Sequence, residues 1–162
     1  SRQVQISELE GKEVWIDGFN TIITLEVLLC ESLLFCCMDG TIRDLAALRG
    51  TYRLIPETTG AVRLMFDVLR DAAVGKVIIL LDEPVSNSGR LKSLIAECFY
   101  SSPVEADFAV IKDVDRTLYD KDNVISSDAV VLDHCRSWFN LVKNAIQMSL
   151  GNYPFIEIIP AD

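Results

Sequence analysis

The hydrophobic positions of this chain fall into two patterns. In the first, apolar residues follow one another without interruption, as they do in strands that are buried on both faces of a sheet. Val14 to Ile16 and Lys76 to Leu81, after its first residue, contain such runs, whereas Ala106 to Ile111, Asn123 to Ile125 and Phe155 to Ile159 are mostly apolar, with Asp107, Asn123 and Glu157 as the polar exceptions. We predict a strand for each of them.

In the second pattern, apolar residues recur every three or four positions, which is typical of amphipathic helices. The helical segments are Thr21 to Leu29, Thr58 to about Ala73, Leu91 to Cys98 and Trp138 to Leu150. The second of them is expected to begin at a cap on Thr58 or Thr59 and to end at Gly75. Strands and helices therefore alternate, which predicts an α/β fold with a mainly parallel sheet covered on both faces.

Two early segments depart from this alternation. Leu33 to Met38 is apolar, Asp39-Gly40 is a turn dipeptide, and Thr41 to Arg43 restarts with β-branched residues. This order predicts a β-hairpin, which we place at a sheet edge. Ser1 to Gly11 is expected to be a polar lead-in to the first strand.

Length and composition predict one domain over residues 1–162, half of whose residues are hydrophobic. The start at Ser1 leads us to expect a fragment of a longer chain. No apolar run reaches the length of a membrane span, so no membrane partner is expected. The five cysteines are odd in number and contain no C-x-x-C pair, which predicts free thiols in a reducing cytoplasm.

The net charge of −9 limits the kinds of partner. A protein that binds nucleic acid by electrostatics alone needs a basic face, and this composition argues against one. An excess of acidic side chains is compatible with carboxylates that hold divalent cations.

Acidic residues follow several predicted strands. Asp17, Asp82 and Asp128 each lie at a strand end, and the carboxyl ends of parallel strands meet at one edge of a sheet. Asp133 joins them if the chain turns into a helix after Asp128, and Asp115 joins or flanks the group. Gathered carboxylates repel one another unless a cation neutralises them, so we predict Mg²⁺ or Mn²⁺ here. The alternative is that each aspartate caps the following helix.

The loop after Asp82 carries a second candidate site. Ser86, Asn87, Ser88 and Arg90 are suited to contact a phosphate at a helix N-terminus. The alternative is that Ser88 is simply an N-cap. His134, Trp15 and Trp138 are expected to be structural residues, the two tryptophans in the core.

Two segments resemble a known family. Ile16-Asp17-Gly18-Phe19-Asn20 resembles the Asp-Gly-x-Asn motif of NYN-type members of the PIN-like nuclease superfamily. The segment from Ser126 to Asp133 resembles the later Ser-(Asn/Ser)-Asp-x(4)-Asp segment of these proteins. The whole chain is also similar to a PIN-like domain of uncharacterised, mainly archaeal, proteins. The resemblance implies a three-layer α/β/α fold and Mg²⁺- or Mn²⁺-dependent cleavage of RNA phosphodiester bonds.

Carried over to this chain, the resemblance implies particular roles. Asp17, Asp128 and Asp133 would be metal ligands, Asn20 would orient a carboxylate or water, and Ser127 would lie at the metal or phosphate. The middle acid of the family is assigned to Asp82. Asp44 and Glu57 are its competitors.

We therefore predict a cytoplasmic, metal-dependent endoribonuclease domain, a hydrolase that acts on phosphodiester bonds. Its catalytic residues would be Asp17, Asp82 and Asp128, because a cation held there readies a water for attack on phosphorus. RNA would be its substrate, and other domains of a longer chain or a basic protein its partners. The alternatives are a catalytically weak PIN-like module that binds RNA or protein, and another Mg²⁺-dependent phosphate-transfer enzyme.

Overall fold

The uninterrupted apolar runs form the interior of a parallel sheet. The structure is a computed structural model and describes residues 1–32 and 52–151. Within them the strands are β1 (Arg2–Val4), β2 (Glu13–Asp17), β3 (Lys76–Asp82), β4 (Glu105–Ile111), β5 (Val124–Ile125) and β6 (Ser137–Phe139). The helices are α1 (Gly18–Ser32), α2 (Pro56–Asp71), α3 (Ser88–Phe99), α4 (Val114–Leu118), α5 (Ala129–His134) and α6 (Leu141–Gly151), with a 3₁₀ helix at Ile6–Leu9.

Strand β2 lies inside the sheet, whose order is β1-β6-β5-β2-β3-β4 with every described pair parallel. Trp15 is in register with Val124 of β5 on one side and with Ile78 of β3 on the other. The fold is thus α/β, and residues 1–32 and 52–151 form an all-parallel six-stranded sheet flanked by helices in a three-layer sandwich. The predicted fold class is confirmed for the described part of the chain.

The two faces of the sheet are covered unequally. Strand residues such as Ile16 and Ile79 belong to a large buried cluster with residues of α1, α2, α3 and α6. Leu80 and Val124 belong to a smaller cluster with residues of the short helices α4 and α5. Because successive strand residues point to opposite faces, Ile79 and Leu80 enter different clusters. Both faces are buried, which explains why the strands do not alternate in hydrophobicity.

Two of the predicted element boundaries were wrong, one near the start of the chain and one before the last described helix. Ser1 to Gly11 contains β1 and the 3₁₀ helix rather than a polar lead-in. The segment from Trp138 to Leu150 is not one helix, because β6 occupies its start and α6 begins at Leu141. Both strands have three residues, which is too short for a hydrophobic period, and they are formed by pairing with each other.

The helix caps also differ from the prediction. The N-cap of α2 is Ile55, and Thr58 caps from inside the first turn, where its Oγ1 accepts the N–H of Ile55 at 2.9 Å. That helix ends before Ala73, whose φ of 55° is left-handed, and not at Gly75. The N-cap of α3 is Asn87, with φ 63°, so Ser88 is the first helical residue and not the cap.

Two predicted elements, the hairpin from Leu33 to Arg43 and the strand from Phe155 to Ile159, lie outside the described residues. In the described part, no helix combines the length and the apolarity that a membrane crossing requires. Trp15 and Trp138, expected in the core, are only partly buried at the edge of the smaller cluster.

Gly18 allows α1 to begin directly after β2. A Cβ atom at this position would lie 2.5 Å from Cδ2 of Leu81 and 2.8 Å from the carbonyl oxygen of Leu80. The second of these contacts is with backbone, which cannot turn aside as a side chain can. The glycine of the Asp-Gly-x-Asn motif is therefore required by the close approach of α1 to β3.

We expect Gly18→Ala to lower the free energy of unfolding by about 1–3 kcal/mol, because the added methyl group forces the helix away from β3. Urea denaturation of the purified chain measures this change. Gly89→Ala is the matched control, since a Cβ at Gly89 in α3 meets no atom within 4 Å. Equal stability of the Gly18 and Gly89 variants would contradict this account of the turn.

A buried polar cluster joins α1 to the segment that precedes α2. Glu26 is 5% exposed, and its Oε2 accepts hydrogen bonds from the hydroxyls of Tyr52, at 2.9 Å, and Thr58. The ring of Tyr52 also packs edge-on against Phe19. Burial raises the pKa of the Glu26 carboxyl, the two hydroxyl donors lower it, and the nearby charge of Glu57 raises it, with a net increase.

We expect Glu26→Gln to become more stable relative to the wild type as pH rises above 4.5, the ordinary pKa of this side chain. Below that pH the carboxyl is protonated in both the folded and the unfolded state, so it imposes no penalty. Above it the folded protein binds more protons than the unfolded chain, so the stability of the wild type falls with pH until the raised pKa is passed. Unfolding midpoints of both proteins across this range test the sign, and a constant difference would refute it.

Candidate functional site

The candidate site lies at the carboxyl end of β2. Asp17, the last residue of that strand, is 1% exposed. Its Oδ2 accepts a hydrogen bond from Oγ of Ser126, which follows β5, at 2.8 Å. Since Ile125 is in register with Ile16, Ser126 continues the line of β5 beside Asp17. The ends of two neighbouring strands thus meet at a buried carboxylate.

Asn20, in the first turn of α1, contacts the two serines that follow β5. Its Oδ1 accepts from the backbone N–H of Ser127 at 2.8 Å and from Oγ of Ser127 at 3.0 Å, and it also lies 3.4 Å from Oγ of Ser126. Thr24, one turn later, has its Oγ1 3.4 Å from Oγ of Ser127. The amide of Asn20 therefore contacts the two serines, and the predicted contact with a carboxylate or water stays a prediction.

Asp128 is joined to this network through Ser126. Its backbone N–H donates to Oγ of Ser126 at 3.1 Å, so one hydroxyl group contacts both Asp17 and the backbone of Asp128. The Asp128 side chain caps α5, where its Oδ1 accepts the N–H of Val130 at 2.9 Å. The capping role considered for this aspartate is thus present. Its Oδ2 accepts no hydrogen bond from any described residue.

Asp82 lies on the other side of Asp17, at the end of β3. Asp17 is in register with Leu80, so Asp82 is two residues, or about 7 Å, further along the sheet. Residues in register share a face, and so do positions two apart in a strand, so Asp17 and Asp82 project from the same face. Asp82 is half-buried and already has an interaction within the chain.

Three of the other predicted acids lie on helices and not at strand ends. Asp133 is exposed on α5, and Asp115 is half-buried in α4. Glu57 accepts from Sγ of Cys30 at 3.7 Å, and Cys30 is thirteen residues, about 20 Å, along α1 from Asp17. Asp44 lies outside the described residues. Among residues 1–32 and 52–151, no group of three or more His, Cys, Asp or Glu side chains is placed to hold a metal ion.

The loop predicted to contact phosphate connects β3 to α3. Asn87 is used structurally, because its Nδ2 donates to the carbonyl oxygen of Tyr52 at 2.7 Å. Ser86 has an interaction within the chain, and Ser88 is half-buried. Arg90 is exposed in the first turn of α3 and forms no ion pair with a described residue. Of this loop, Arg90 is the side chain available to an anion.

Sequence reasoning missed several side chains of the site. Ser126 was quoted in the motif but given no role, although its hydroxyl is the link between Asp17 and Asp128. Thr24 gave no signal beyond helical spacing. Ser126 is a polar residue directly after an apolar strand and next to Ser127, which is the signal that would have identified it.

Two comparisons with known proteins find relatives of this chain. A family model described as "Domain of unknown function (DUF5616)" matches residues 6–144. The uncharacterized protein MJ0935 of Methanocaldococcus jannaschii is 30% identical over 145 residues, which cover 88% of this chain and 69% of that protein. No solved structure matches with statistical significance. The chain belongs to the DUF5616 family.

Proposed function

We propose that this chain is a metal-dependent hydrolase domain that cuts RNA phosphodiester bonds at the carboxyl end of β2. The observation that carries the proposal is the link from Asp17 through the Ser126 hydroxyl to Asp128, at 2.8 and 3.1 Å. This link joins the Asp-Gly-x-Asn segment to the Ser-Ser-Asp segment, the two motifs that resemble NYN-type nucleases. Because the two motifs meet at one sheet edge, the structure is compatible with a shared role of both in one hydrolase site.

The side chains at this edge fit a divalent cation. Mg²⁺ takes oxygen ligands and commonly uses only one or two protein carboxylates, together with water and substrate phosphate. Asp17 and Asp128 would hold it, with Asp82 on the neighbouring strand as a further carboxylate and Asp133 as the most distant candidate. A bound cation would supply a water of lowered pKa and neutralise charge on the phosphate.

The residues of the chain itself would position this chemistry. The Ser126 hydroxyl fixes the orientation of the Asp17 carboxylate by donating to its Oδ2. Asn20 fixes Ser127, which is exposed at the rim and available to a phosphate oxygen. Arg90 and Lys92, both exposed and without an ion pair to a described residue, would contact the RNA backbone.

The negative net charge of the chain affects how the domain would bind RNA. A chain of net charge −9 repels RNA, so substrate affinity would depend on cations and on a basic partner or another domain of a longer chain. We place the activity in the cytoplasm, where reduced cysteines persist. No disulfide joins the described cysteines Cys30, Cys98 and Cys135.

A catalytically weak module that binds RNA or protein is the second candidate. The observation in its favour is that no three acidic, histidine or cysteine side chains are grouped for a metal in the described part. The burial of Asp17 also favours a binding module, because a carboxylate that is 1% exposed is almost inaccessible to a metal ion from solvent.

We expect wild-type protein with Mn²⁺ to cleave single-stranded RNA and Asp17→Asn to lose about 100-fold or more of that rate, because the substitution removes the buried charge. Asp128→Asn should lose activity while keeping its helix cap, since asparagine caps as well as aspartate. End-labelled RNA resolved on gels measures the cleavage. Asp71→Asn, at the exposed end of α2 ahead of β3, is the control.

Other results would favour other functions. Mn²⁺ binding with no cleavage, or with cleavage unaffected by Asp17→Asn, would replace the hydrolase with the binding module. Turnover of small phosphate esters without turnover of RNA would identify a different Mg²⁺-dependent phosphate-transfer enzyme. Thermal unfolding of each variant shows whether a loss of activity reflects a loss of folded protein.

A further inference from the structure

A cavity of about 270 Å³ opens next to the candidate site, on the side of β5 that faces away from β3. It shares Asn20, Ser126 and Ser127 with that site. Its other described lining comes from α1, from the ends of β5 and β6, and from the starts of α5 and α6. These residues are Thr21, Thr24, Ile125, Leu132, Trp138, Asn140, Leu141 and Val142. A group attached to a phosphate at Asp17 and Asp128 has this cavity as its neighbour.

The lining is unusual for this chain because no described residue in it carries a charge. The lining combines hydroxyl and amide groups with aliphatic and aromatic side chains. Such a lining favours an uncharged ligand with both flat apolar faces and hydrogen-bonding edges. A phosphate or another anion would find no cation there. The uncharged lining therefore distinguishes this cavity from the acidic sheet edge beside it.

Asn140, one of the residues that line the cavity, carries a side-chain hydrogen-bond donor that no described residue uses. Its Oδ1 accepts the backbone N–H of Lys143 at 3.0 Å, at the start of α6. Because a backbone N–H can only donate, the accepting amide atom must be oxygen, which leaves Nδ2 as the other one. That NH₂ group donates to no described residue. It is thus available to an acceptor on a ligand, such as the carbonyl or ring nitrogen of a base.

Trp138 supplies an aromatic surface. It lies in β6 and is partly buried, packed against the smaller hydrophobic cluster. Aromatic side chains beside single-stranded nucleic acid stack on bases, and this stacking contributes without requiring a charge. The volume of about 270 Å³ is below the range of about 300–1,000 Å³ typical of drug-sized ligands. It suits a single ring system.

We infer that this cavity is a subsite for one nucleobase, next to the bond that is cut, and that Asn140 reads the edge of that base. The inference rests on the proposed function for the identity of the ligand as part of an RNA. It extends that function by assigning base preference to residues that the cleavage chemistry does not use.

Titration of the metal-free chain with adenosine, guanosine, cytidine and uridine, followed by amide NMR shifts, tests the subsite without cleavage. At least one nucleoside is expected to bind, and Asn140→Asp to weaken its binding about tenfold by removing the donor. Aspartate keeps the oxygen that caps α6, so the helix start is preserved. Gln147→Glu adds the same charge on an exposed part of α6 outside the cavity and should leave binding unchanged.

A second variant and a second ligand make the result specific. Thr24→Val removes a lining hydroxyl at nearly constant volume and should also change which nucleoside binds best. Ribose 5-phosphate is expected not to bind, since it lacks the base; shifts with it alone would overturn the inference. Nucleosides that leave all spectra unchanged would overturn it as well.

The cleavage assay separates the two proposals. Nucleoside binding that depends on Asn140, in a protein that cuts no RNA, supports the subsite and overturns the hydrolase. RNA cleavage that depends on Asp17 but has no base preference, with no nucleoside binding, supports the hydrolase and overturns the subsite. A base preference that Asn140→Asp abolishes while Gln147→Glu retains it supports both.

Discussion

The geometry of the site depends on the direct passage from β2 into α1. No residue separates Asp17 from the first residue of the helix, and this is sterically allowed only because Gly18 has no Cβ to collide with the carbonyl oxygen of Leu80. The tight turn places Asn20 within one helical turn of Asp17. Both side chains then meet the end of β5, which lies beside β2 in the sheet. A looser turn would separate the carboxylate from the amide that holds its neighbours.

The serines after β5 convert that proximity into a fixed arrangement. The single hydroxyl proton of Ser126 goes to the Asp17 carboxylate at 2.8 Å rather than to Asn20 at 3.4 Å, and the lone pairs of the same oxygen accept from Asp128. A hydrogen bond to a buried carboxylate stabilises its charged form, which would otherwise be costly to keep away from water. The Ser126 hydroxyl therefore fixes the Asp17 carboxyl group against the end of β5 and ties it to the backbone of Asp128.

Two different environments lie on either side of β5. Towards β3 the edge is acidic, with Asp17 and Asp82 on one face of the sheet. Towards β6 the described lining is neutral, with hydroxyls, amides and Trp138. Under the proposed function this division matches the two parts of a nucleotide, because a phosphate with its cation requires carboxylates and a base requires neutral hydrogen-bonding groups beside an aromatic surface. Ser126 and Ser127 belong to both environments and connect them.

The amino-acid sequence by itself determined the fold class, because apolar runs such as Lys76 to Leu81 alternate with segments of helical periodicity, which is typical of a helix-covered parallel sheet. It also located Asp17 and Asp128, since strand ends are visible in the pattern. Tertiary structure alone decided what those residues contact. The strand Ser137–Phe139 has no periodicity of its own and exists by pairing, so Asn140 became recognisable only once that strand was placed. Ser126 acquired its role for the same reason: hydrogen bonds between residues more than a hundred positions apart leave no mark on local sequence, because they arise from the order of strands in the sheet.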